Sequence, residues 1–258
     1  MNAIALDPAN QATVYAGTSY ARVFKSTNRG SSWRVRDQGL PVNTFVNALA
    51  VDPAHTNSVY AGTNAGLFNV TASEPALASA STRHMSRPSR HSDPASWMGG
   101  TQIWRRYVGV PDTLTGSNAI ATSPDGSKVF VTGWSIVDND AYATFALDLS
   151  SGRRLWTAMY RGPSGGGDEA RAIGVSPDGS RVFVTGESVG QSGTNDDYAT
   201  IAYDASTGAR LWVARYNYGP AYNFDFANSL TVSPDGARVF VTGGSCREPS
   251  YECNSQTA

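Results

Sequence analysis

One phrase, Ser-Pro-Asp-Gly-x-x-Val-Phe-Val-Thr-Gly, stands three times in this chain, at residues 123–133, 176–186 and 233–243. Nine of its positions are identical in every copy, which chance does not deliver, and the spacings of 53 and 57 residues set the length of a repeating unit. Each copy opens with a turn. Proline presets φ for the first turn position, aspartate tolerates the second and caps locally, and glycine takes the positive φ from which the next strand starts. The Val-Phe-Val-Thr run after it consists of strand formers. Two further segments recur between the copies: residues 141–148 match 197–204, and Leu155-Trp156 matches Leu211-Trp212, with Ile103-Trp104 opening that series.

Each unit thus holds four short runs of Val, Ile, Thr, Tyr, Phe and Trp, parted by Gly, Pro, Asp and Ser, which is the pattern of strands joined by turns. Four strands in roughly 50 residues make a propeller blade. The first 70 residues carry another repeat of period 45: Ala5-Leu6-Asp7-Pro8 and Val14-Tyr15-Ala16-Gly17-Thr18 return as Ala50-Val51-Asp52-Pro53 and Val59-Tyr60-Ala61-Gly62-Thr63. No amphipathic helical stripe runs along the chain. The fold predicted is all-β, with β-propeller-type repeats of four-stranded antiparallel blades.

Residues 71–100 interrupt this order. They are dense in Ser, Ala, Pro and Arg and hold His84 and His91, a composition that reads as a linker or disordered insertion. The organisation expected is blade repeats at 1–70, this linker at 71–100, further blade repeats at 101–245 and a tail at 246–258. Closed propellers have about 4 to 8 blades. The sequence shows about one and a half before the linker and two and a half after it, so either a small irregular ring, an open arc or a fragment of a longer repeat protein is expected.

Basic and acidic residues nearly cancel, 20 against 21, so the chain lacks the positive field that nucleic acid demands. No apolar run approaches the ~18 residues of a membrane span, and the N-terminus lacks the layout of a signal peptide.

Two resemblances add to this. Ser26-Thr27-Asn28-Arg29-Gly30-Ser31-Ser32-Trp33 resembles the Asp-box of sialidase-like (BNR) propellers, with Asn28 where that family has aspartate. The resemblance implies a rim turn held by the polar side chain, with Trp33 packed between blades, and no catalytic role. The C-terminal half resembles quinoprotein-type (PQQ-like) propellers through a tryptophan-docking phrase. It stands as Ala146, Asp148, Ser151, Gly152, Trp156 and as Ala202, Asp204, Thr207, Gly208, Trp212. There the resemblance implies that Trp104, Trp156 and Trp212 are wedges between blades. The thrice-repeated phrase is also similar to YVTN-like surface propellers, which implies a place outside the cell or on its surface.

The chemistry these residues offer is sparse. A sialidase-like hydrolase needs an arginine cluster and paired acids; Glu169 and Glu187 fall in or beside turns and form no evident constellation. A quinoprotein-type dehydrogenase remnant is the other enzyme reading, but the adjacent cysteines of that family are absent from the sequence. Asp138, Asp140, Asp196 and Asp197 precede equivalent strands, and oxygen-rich loops of this kind suit calcium, the one cofactor considered, although Asp and Asn also simply populate hairpin loops. Asp168 and Asp225 recur ahead of inner strands. Each either binds a neighbouring blade's amides or lines a rim that takes a ligand. Cys246 and Cys253 form a small disulfide loop if the protein is exported and stay thiols if it is not. The function expected is a non-catalytic binding or scaffold module whose rim meets a protein or carbohydrate ligand.

Overall fold

The computed structural model describes residues 1–36, 40–41, 43–64, 66–71, 105–106, 116–136, 140–190, 196–219, 223–247 and 252–257. Trp104, Asp138 and nearly all of the segment 71–100 lie outside them.

The described residues form no helix and five antiparallel meanders. Blade 1 is β1 (Ala3–Leu6), β2 (Val14–Gly17), β3 (Val23–Ser26) and β4 (Arg34–Val35). Blade 2 is β5 (Val46–Val51), β6 (Ser58–Thr63), β7 (Gly66–Thr71) and β8 (Arg105–Arg106). Blade 3 comprises β9 (Gly116–Thr122), β10 (Lys128–Ser135), β11 (Ala141–Asp148) and β12 (Arg154–Tyr160). Blade 4 comprises β13 (Glu169–Val175), β14 (Arg181–Val189), β15 (Asp196–Asp204) and β16 (Arg210–Tyr216). Blade 5 has three strands, β17 (Asn223–Val232), β18 (Val239–Arg247) and β19 (Glu252–Thr257).

Two expected boundaries change. Because β8 pairs with β7, residues 72–104 are inserted within blade 2 and do not separate two sets of repeats. The expected tail is also structured: β18 runs through Cys246 to Arg247, and β19 pairs with it, Cys246 facing Cys253 in a disulfide.

The inner strands stack in series, β1 on β5, β5 on β9, β9 on β13 and β13 on β17. No comparable packing joins β17 to β1 among the described residues, and Ile4 and Leu6 of β1 are each 61% exposed. Among the described residues the blades are an open succession.

The repeated phrase is explained residue by residue. In β10, Val129 and Val131 point to blade 2, where they pack with Tyr60 and Leu67, while Phe130 points to blade 4 and packs with Val182 and Ile201. A strand buried on both faces is apolar at successive positions. Thr132 and Thr185 face Thr144 and Thr200 across the sheet, with their hydroxyls 2.9 Å apart. The following Gly133, Gly186 and Gly243 stand where the inner strand bulges, and a Cβ on any of them would lie 2.0 Å or less from the carbonyl oxygen of Gly116, Glu169 or Phe226. The turns stack as well. Gly179 lies against Pro124 of the previous blade and Gly236 against Pro177, and it is the positive φ at both that demands glycine, since an added Cβ would meet each proline at ordinary contact distance.

Candidate functional site

The strand ends define two rims, and the carboxylates on them behave differently. One rim carries the turns after the first and third strands of each blade. Asp125 Oδ1 accepts the Ser127 amide at 3.0 Å while Ser123 Oγ accepts the Lys128 amide at 2.9 Å, and Asp178 and Asp235 repeat this. Asp148 Oδ1 accepts the amide and hydroxyl of Ser151, and Asp204 Oδ1 those of Thr207. These donors favour the ionised form. The Ser123 hydroxyl first, then the Ser127 amide, bring Asp125 down to about 2; Asp178 is brought to about 2 by Ser176 and Ser180, Asp148 by Ser150 and Ser151, and Asp204 by Ser206 and Thr207. On this rim of blade 1, Ser26 Oγ accepts the Gly30 amide and Asn28 Oδ1 the Ser32 amide, at 2.9 and 2.8 Å. Asparagine therefore holds that turn. Trp33 does not lie enclosed between blades: it is 39% exposed and rests against its own Gly30 turn.

The opposite rim gathers acids that are only partly served by donors. Asp140, Asp168, Glu169, Glu187, Asp196 and Asp197 all sit at this end of blades 3 and 4, because Glu169 pairs with Glu187 across β13–β14 and Val189 with Asp196 across β14–β15. Arg171 serves two of them, reaching Glu187 Oε1 at 2.8 Å and Glu169 Oε2 at 3.6 Å. Arg215 serves a third, Asp197. Its guanidinium donates to Asp197 Oδ2 at 2.9 Å, to Ser188 Oγ and Ser188 O at 2.7 Å and to Tyr160 OH at 3.0 Å. Asp196 is held above the ordinary carboxylate range, first by burial and then by the charges of Glu187, Asp168 and Asp197.

Asp168 and Asp225 do bind amides of the connection arriving from the previous blade: Gly162 N donates to Asp168 Oδ2 at 2.7 Å and Tyr218 N to Asp225 Oδ2 at 2.9 Å. Both side chains are buried, and in each the Oδ1 has no hydrogen-bond partner. A cavity of about 280 Å³ opens at this rim between blades 3 and 4, lined by Trp134, Asp140, Gly167, Asp168, Glu169 and Glu187.

Of the calcium candidates, Asp138 lies outside the described residues, Asp140 lines the cavity, Asp196 lies in the acidic field and Asp197 is paired with Arg215. Among the described residues no group of three or more His, Cys, Asp or Glu side chains is arranged to hold a metal ion. His55, the one described histidine, is on the turn rim beside Asp52. Sequence reasoning set Glu169 and Glu187 aside and missed Trp134. A signal for them existed. Trp134, Glu187 and Gly244 follow directly on three identical Val-Phe-Val-Thr-Gly runs, so in blades 3 and 4 the identical run breaks off at the cavity wall.

The tryptophans divide too. Trp156 is 8% exposed and its Nε1 donates to Ala205 O of blade 4, whereas Trp212, its counterpart, packs on Phe183 yet is 39% exposed and lines an open groove with Tyr198, Tyr216, Val239 and Val241. The enclosed wedge expected at Trp212 is not formed. The socket for Trp156 is the turn after the third strand of the next blade, and β19 pairs only with the 242–247 end of β18.

The sequence profile described as outer membrane protein assembly factor BamB matches residues 92–247. Among solved structures, that of Chaetomium thermophilum Sqt1 aligns with a TM-score of 0.60 at 14% identity, covering 100% of this chain and 58% of that one. At that identity the likeness speaks to the fold alone. No curated protein matches the sequence.

Proposed function

Because this chain belongs to the family described as outer membrane protein assembly factor BamB, whose profile matches 92–247, we propose that it works as a non-catalytic binding or scaffold module. Its ligand is a protein, and its place is outside the cell or on the cell surface. The observation that carries this reading is the inequality of the two rims. On one rim each repeated carboxylate is consumed by its own turn; on the other, six acids gather beside a cavity, and Arg171 and Arg215 answer only part of their charge. Residues that serve only the fold are satisfied by the fold, and surplus charge at a rim is what a partner reads. The family's printed name, an assembly factor, favours a protein over a carbohydrate ligand. The Cys246–Cys253 disulfide favours an oxidising compartment.

Photo-crosslinking tests the reading. A crosslinking amino acid at position 140 of the acidic rim is compared with one at position 237, exposed on the turn rim. The expected result is a discrete protein adduct at 140 and none at 237, with the adduct partner, once purified, binding the chain directly. Equal labelling at both positions, or none at 140, contradicts it.

A further inference from the structure

We propose that the cavity between blades 3 and 4 receives a single organic cation, the ammonium or guanidinium head of a basic group; this rests on the acidic rim being the binding surface. The lining supplies four carboxylates, from Asp140, Asp168, Glu169 and Glu187, and the indole of Trp134. Arg171 partly neutralises Glu169 and Glu187, but among the described residues no basic side chain comes within ion-pair distance of Asp140 or Asp168. Asp168 is 1% exposed, and its Oδ1 accepts nothing while Oδ2 takes the Gly162 amide. A buried carboxylate oxygen without a donor is costly, and buried polar groups are normally paired. Asp168 lines the cavity, and a donor there that the carboxylate turns to meet answers that need. Ammonium and guanidinium groups carry several N–H donors each, form charge-assisted bonds to carboxylates, and stack on indole faces.

Size and geometry narrow the class. At about 280 Å³ the cavity lies just under the roughly 300–1,000 Å³ that takes a drug-sized ligand, so it holds one head group. The carboxylates do not converge as a calcium site requires, since no three described acids are arranged around one metal position.

The test is saturation-transfer NMR on the intact chain with n-butylammonium, n-butylguanidinium and the peptide acetyl-Gly-Gly-Arg-Gly-Gly-amide, with n-butanol as the neutral control. Binding of the cations but not of n-butanol is expected. The Asp140→Asn and Glu187→Gln variants are each expected to weaken it by about fivefold or more, the size of a lost charge-assisted bond. Asp140 is exposed with φ of 52°, a conformation asparagine tolerates, so Asp140→Asn leaves the fold intact and keeps the test decisive if Glu187→Gln does not fold. Tighter binding of the peptide than of n-butylguanidinium assigns the site to a basic side chain of a partner protein; equal binding assigns it to a free small cation; either supports the proposal. No cation binding, equal binding of n-butanol, unchanged affinity in Asp140→Asn, or displacement of the cation by micromolar calcium overturns it. If that happens while the crosslink at position 140 persists, the cation inference falls and the binding-module reading stands; if the crosslink is lost as well, both fall.

Discussion

The indole Nε1 of Trp156 donates to the carbonyl oxygen of Ala205 at 3.1 Å, across the seam between blades 3 and 4. The ring also lies over Gly208, where a Cβ would come within 2.7 Å of it, and against Phe130 and Tyr203. Trp212 has the equivalent inner neighbour, Phe183, but no such socket among the described residues. Trp156→Ala is therefore expected to cost about 3–5 kcal/mol, the range for emptying a large buried aromatic site. Trp212→Ala is expected to cost about 1–2 kcal/mol, in keeping with partial burial. Urea denaturation of the two variants checks the ratio; equal losses would mean that the two seams are alike.

The bulge glycines separate close approach from backbone strain. Gly186→Ala places a methyl group 2.0 Å from the Glu169 carbonyl oxygen, and neither backbone can yield without shifting the sheet. A loss of about 3 kcal/mol is expected, at the upper end for overpacking. Gly165 has nothing within 4 Å of an added Cβ and only its φ of 77° resists substitution, so Gly165→Ala is expected to cost about 1 kcal/mol. Thermal melts of both variants measure the difference.

The turn rim makes the fold acid-sensitive in a defined window. Asp125, Asp148, Asp178 and Asp204 are brought to about 2 by turn hydroxyls and amides, below their unfolded values near 4. Depressed folded values mean that the unfolded chain takes up protons first. The stabilisation is thus present above about pH 4 and lost as pH falls towards 2. Tm measured between pH 5 and 2 should drop through that interval, and Asp178→Asn should flatten part of the drop. A Tm indifferent to pH in that range would contradict the assignment of these aspartates.

The disulfide anchors one edge. Cys246 and Cys253 face each other across β18 and β19, and β19 has no strand on its other side among the described residues. Closing so short a loop is worth about 2–3 kcal/mol in the chain-entropy account. Reduction should speed amide exchange in 252–257 while leaving β14 and β15 protected, because their packing does not pass through the disulfide. Hydrogen exchange with and without reductant reads this directly.

Much of this architecture is legible in the sequence because each feature of the repeated phrase has a mechanical cause. Val129, Phe130 and Val131 face two seams in turn, Gly133 lets the bulge pass, and Asp125 closes the turn. What escaped reading was not repeated. β8 is two residues, Arg105–Arg106, separated from its sheet by a long insertion, and β19 reads Glu-Cys-Asn-Ser-Gln-Thr, with hardly a strand-forming residue. The cavity escaped for a related reason. Trp134, Asp140, Glu169 and Glu187 occupy variable positions of two blades, and only the register of the strands brings them to one rim.

We infer that one rim serves the fold while the other is kept for binding. Function of that kind is purchased against stability, since Asp196 is half-buried beside Glu187, Asp168 and Asp197 and its ionised form is disfavoured. The measurement is denaturant stability at pH 7 of Asp196→Asn beside Asp178→Asn. Opposite signs are expected. Asp196→Asn relieves burial and like-charge repulsion and gains stability, whereas Asp178→Asn weakens a turn and loses it. A loss in Asp196→Asn as large as that in Asp178→Asn would overturn this division of the rims, because the acids of both would then be serving the fold alike.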